Sequence, residues 1–132
     1  MKLKTYSPQN LPVVITGQPL IRINVKSGLI SFSKMAVKEL GISSSHGLQF
    51  HQDEDRPQDW YVSISAYSEP DCFSIRVKDH SLSFNCRALV QQIQDSIPNT
   101  KGMKSFRMNL STTPMDVDGM TLYSIITKSA AA

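Results

Sequence analysis

The residue types that could do chemistry in this chain are cations, and their spacing repeats. Arg22, Asn24 and Lys26 take alternate positions of one segment, and Arg76 and Lys78 take alternate positions of another. Two more, Lys34 and Arg87, stand at or near the starts of the stretches that follow. Alternate positions of a strand share a face, so each segment would present a strip of positive charge. Two such strips suit the backbone of a polyanion, because bound cations release its condensed counterions. Taken singly, any one of these side chains reads more simply as a solvated position on a half-exposed sheet. The set carries the functional reading.

Other constellations carry less. "HQDEDRPQD" groups His51, Asp53, Asp55 and Asp59, but it lacks the turn glycine and terminal Glu of a calcium loop. It reads as a solvated hairpin tip. His46, His51 and His80 fall in separate turns and make no zinc set. Cys72 and Cys86 have no CxxC spacing, and two buried free thiols in a reducing cytoplasm are expected. No His-Asp or His-Asn arrangement is in view to make Cys86 a nucleophile, no serine sits in a Gly-x-Ser-x-Gly turn, and no glycine-rich phosphate loop occurs. The expectation is therefore no enzyme, no metal and no cofactor. Trp60 and Tyr61 face opposite sides of a strand, which assigns Trp60 to the core, with base stacking as the alternative.

The totals agree with a single globular domain. The chain has 132 residues, 40% of them hydrophobic and 19% charged. No apolar run approaches a membrane span, and "MKLKTYSPQNLPVV" lacks the apolar stretch of a secretory leader. Net charge is +3, yet the segment from Asp53 to Asp59 alone carries −3, so the rest of the chain holds about +6. A basic body with one acidic loop suits a polyanion partner and also suits plain solubility.

The elements that must position these residues come twice. At a constant offset of 52 residues, Ile23 falls on Ile75, Val25 on Val77, Lys26 on Lys78, Phe32 on Phe84 and Ala36 on Ala88. Each copy opens with period-2 alternation, turns at Ser27-Gly28 or at Asp79-His80-Ser81, and continues into a short second strand. Ser33 and Asn85 are the expected N-caps. A short helix over 34–40 then stops at Gly41, and a longer one over 86–97 stops before Pro98. Each leads to a hairpin: 48–51 with 60–65, and 105–110 with 120–127. The expected fold is α+β and mostly β: two ββαββ repeats, 20–66 and 73–128, related by a pseudo-twofold in a small closed or semi-closed barrel. Residues 1–19 read as an extended arm and 129–132 as a frayed tail.

The first copy, "LISFSKMAVKELGISSSHGLQF", resembles the swapped-hairpin unit of AbrB-like transition-state regulators. Leu40, Gly41 and Ile42 match the family's helix stop, Ser43 and Ser44 its spacer, and Leu48 the following Val position. Ser45 and His46 stand where Gly and Asp are usual, and Phe32-Ser33 where Ile-Pro is usual. The resemblance implies a DNA-binding regulator whose two units form within one chain the barrel that family members build as dimers. Arg22, Lys26, Lys34, Arg76, Lys78 and Arg87 would then contact nucleic acid, DNA rather than RNA. An alternative parsing adds strands near 2–6 and 12–16, and is similar to the Whirly and PUR-alpha class of single-strand binders. The remaining alternative is a protein-interaction module, antitoxin-like or scaffold, with a protein partner and no membrane.

Overall fold

A computed structural model of the chain describes residues 1–7, 9, 16–66 and 70–132. Among these residues the fold is mostly β with two helices. Strands β1 (Leu20–Asn24) and β2 (Leu29–Phe32) lead into α1 (Lys34–Leu40), followed by β3 (Gly47–Gln52) and β4 (Trp60–Ser65). Strands β5 (Phe73–Ser74), β6 (Arg76–Lys78) and β7 (Ser81–Asn85) lead into α2 (Arg87–Ser96) and a 3-10 turn (Pro98–Thr100). Strands β8 (Ser105–Leu110), β9 (Met115–Val117) and β10 (Met120–Ala131) complete the order.

The strands form an antiparallel sheet in the order β5-β3-β4-β10-β8-β1-β2-β7-β6, with β9 beside β10. Its two ends, β5 and β6, are separated only by Ile75, so the sheet curls into a nearly closed barrel. Closure hides strand edges that would otherwise be open to other chains. The inward positions are apolar: Ile21 and Ile23 on β1, Ile30 and Phe32 on β2, Leu82 and Phe84 on β7, Phe106 and Met108 on β8. Phe84 stacks on the half-buried Phe73 with centroids 5.2 Å apart, and the half-buried Phe50 meets Phe32 edge-on at 6.4 Å. Trp60 is buried, as its alternation predicts, and its ring N–H donates to Ser96 Oγ at 2.7 Å.

The helices seat on this core through their ends and their apolar stripes. Ser33 caps α1: its Oγ accepts from the Ala36 N–H at 3.3 Å and from the Leu20 N–H at 3.0 Å. Gly41 ends α1 in the left-handed region at φ 64, where a side chain would be strained. Helix α2 buries Val90 and Ile93.

Several local expectations are corrected. Asn85 does not cap α2; Cys86 holds that position without a side-chain bond, and Asn85 instead accepts from Arg76 Nη2 at 2.9 Å and donates to the Ser27 carbonyl. The first strand stops at Asn24, so Val25 and Lys26 belong to the turn before β2. Residues 73–78 are split at Ile75, where the chain leaves β3 and joins β7. The tail expected to fray is strand through Ala131: Ala131 pairs with Arg107, Ser129 Oγ accepts from the Asn109 N–H at 2.8 Å, and Asn99 donates to the Ala130 carbonyl. Part of the loop after β8 is itself strand β9. Val25, Leu40, Val77 and Leu89, apolar residues that the alternation and helix stripes would turn to the core, are only half-buried against it. Residues 2–6 form no strand, and most of the alternative strand at 12–16 lies outside the described residues.

Candidate nucleic-acid interface

The pairing registers build one row across the barrel's outer face. Arg107 on β8 stands opposite Arg22 on β1, and Arg22 stands opposite Ser31 on β2. Ser31 stands opposite Ser83 on β7, and Ser83 opposite Arg76 on β6. Arg22, Ser31, Ser83 and Arg107 alternate with the buried apolar set, and Arg76 lies between buried Ile75 and half-buried Val77, so all five point away from the core. The three arginines are exposed and the two serines half-buried. Arg22 and Arg76 are three strand spacings of about 4.8 Å apart along the curved sheet, and the Arg76 head group leans back over β7, its Nη2 donating to Ser83 Oγ at 3.4 Å and to Asn85 Oδ1 at 2.9 Å.

A difference between two turns puts Arg76 in this row. The first hairpin pairs Asn24 with Leu29 around a four-residue turn, residues 25–28. The second pairs Lys78 with Ser81 around a two-residue turn, Asp79 and His80, whose φ angles are 50 and 64. That two-residue shift keeps every side chain on its face and slides Arg76 to the level of Arg22.

The other expected contacts border the row. Lys78 follows two positions along β6 on the same face, and Lys34 opens α1, which packs on β7. At the opposite end, Lys26 is exposed in the first turn and Arg87 opens α2. That turn and that helix meet at Gly28, where an added Cβ would come within 2.6 Å of Arg87 Cγ and 2.7 Å of its backbone N. Lys26 and Lys78, matched by the offset of 52, are thus not equivalent: one sits in a turn and the other on a strand.

Two basic residues of this face were not among the sequence candidates. Arg107 is the neighbour of Arg22, and Lys104 reaches the first turn, its carbonyl accepting from the Val25 N–H at 2.9 Å. Alternation of Phe106, Met108 and Leu110 turns Arg107 outward, but only the β1–β8 pairing brings it to Arg22. No acidic residue occupies the row. The acidic tip joins β3 to β4, and β10 stands between β4 and the β8 end of the row. Asp53 holds that tip as a turn, its Oδ1 accepting from the Asp55 N–H at 2.9 Å and from the Arg56 N–H at 3.3 Å.

The remaining chemistry-bearing groups stay apart. Cys72 and Cys86 are free and half-buried rather than fully buried. Among the described residues no group of three or more His, Cys, Asp or Glu could hold a metal, and no helix is long and apolar enough to cross a membrane. His51 meets Ser63 Oγ at 2.8 Å, and partial burial lowers its pKa from the ordinary histidine value. No protein-family model, curated protein or solved structure matches this chain.

Proposed function

We propose that this protein binds nucleic acid, duplex DNA first, by gripping phosphates with the outer face of β8-β1-β2-β7-β6. The observation that carries the reading is the row Arg107, Arg22, Ser31, Ser83, Arg76. Arginine forks match phosphate geometry, and small hydroxyls between them leave room for a backbone to approach. The row contains no aromatic side chain, which favours a backbone-gripping duplex binder over a base-stacking single-strand binder. A nucleic-acid partner and two free thiols suit a cytoplasmic protein.

The same reading treats the chain as two ββαββ units about a pseudo-twofold, as the AbrB-like resemblance implies. The β2–β7 register supports it. Ile30 pairs with Phe84 and Phe32 with Leu82 about Ser31 and Ser83, a pattern unchanged when the two copies are exchanged at their offset of 52. The fourth strands of the two units, β4 and β10, also pair with each other. The copies differ in their first turns, in the split of the second copy's first strand at Ile75, in helix length, in the added β9 and in the bulge in β10.

Binding of mixed-sequence duplex and single strand, measured across salt, tests the function. Tighter duplex binding with a steep salt slope is expected. Absence of binding to either at low salt would overturn it. A protein-interaction role is the second reading, favoured by Met115, Val117 and Met120, which are about 40% exposed on the β9–β10 hairpin.

A further inference from the structure

We infer that the hollow between Arg22 and Arg107 is a clamp for a single phosphate group, an inference that rests on the reading of this face as a nucleic-acid interface. The two arginines are directly opposed across β1 and β8, and both are exposed. A hollow of about 300 Å³ lies at this pair, lined also by Asn24, Ser31, Ser105 and Ala132. No acidic side chain lines it. Asn24 Oδ1 already accepts from the Ser27 N–H at 3.1 Å, which leaves its amide N–H groups to donate. The hollow therefore gathers two guanidinium forks, an amide and two hydroxyls around one space, a donor set made for an oxyanion. Like charges directly opposite on neighbouring strands repel. A phosphate between them would offset that repulsion.

The test uses the whole chain, the variants Arg107→Gln and Arg107→Lys, and Lys128→Gln as a cation changed elsewhere. Inorganic pyrophosphate, followed by backbone amide shifts, probes the hollow alone, and a short DNA duplex probes it within the interface. Pyrophosphate is expected to move the amides around Arg22 and Arg107 in the parent chain and not in Arg107→Gln. Duplex affinity is expected to fall about tenfold or more in Arg107→Gln, with the salt slope smaller by about 0.9, and to stay unchanged in Lys128→Gln. Arg107→Lys keeps the charge without the fork and should keep the slope while binding more weakly. If the parent binds duplex and Arg107→Gln binds it equally, the clamp falls and the interface stands. If pyrophosphate moves these amides but no duplex binds, the clamp stands and the nucleic-acid reading falls. If neither ligand binds, both fall.

Discussion

Arg22 and Arg76 differ in how free they are. Arg76 Nη2 is already given to Asn85 Oδ1 at 2.9 Å, so part of its fork is engaged before any ligand arrives. Removing one phosphate-binding cation reduces the salt slope on duplex DNA by about 0.9, so Arg22→Ala with Arg76→Ala should flatten it by roughly 2. Affinity should weaken for all sequences alike, because phosphates carry no base identity. Salt titration of the double variant measures both. His51 supplies a separate test at the same scale. Burial lowers its folded-state pKa below the unfolded value of 6.5. A depressed histidine contributes stability above the unfolded pKa and loses it as pH falls through the folded pKa. The melting temperature should therefore drop on acidification below about pH 6.5, and His51→Gln should drop less. Equal pH curves for the two chains would assign the acid sensitivity elsewhere.

Among the elements, the first turn and the barrel wall are most exposed to single changes. Gly28 is buried at φ 69, and an added Cβ would meet Arg87 backbone atoms at 2.7 and 2.9 Å. Gly28→Ala combines left-handed strain with a clash against α2, and should cost about 2 kcal/mol or more in chemical denaturation. It should also loosen the end of the proposed interface where Lys26 and Arg87 stand. Phe84 is 3% exposed and contacts both Phe73 and Phe50. Phe84→Ala should cost about 3–5 kcal/mol, since the rings around it belong to strands that cannot collapse into the space without opening the barrel. A loss under about 1 kcal/mol would mean that Phe84 is not tightly packed against these rings.

At the scale of the whole molecule, charge is segregated between walls. The arginine row lies on β8-β1-β2-β7-β6, and the acidic tip joins β3 to β4. Replacing Glu54 and Asp55 with Ser should change stability by no more than about 0.5 kcal/mol each, because both are exposed. Asp53 differs, since its Oδ1 closes the turn, and Asp53→Ala should cost more than Asp53→Ser, whose hydroxyl can still accept. None of these changes should weaken duplex binding. A marked loss on neutralising the tip would show that the interface wraps onto the other wall.

Ile21, Ile23, Phe106 and Met108 made their strands legible, because period-2 alternation needs only neighbouring residues to be expressed. Ser33, Gly41 and Pro98 marked helix ends for the same local reason. Asn85 misled, because its amide found longer-range partners in Arg76 and the Ser27 carbonyl that compete with capping. The outward placement of Arg22 and Arg76 also followed from alternation. Which cations became neighbours did not, since β1 meets β8 and β2 meets β7 through pairings far apart in the chain. Alternation determines a side chain's face, whereas non-local strand pairing decides its companions on that face. That is why Arg22 was a candidate from the sequence and Arg107 became one only in the folded barrel.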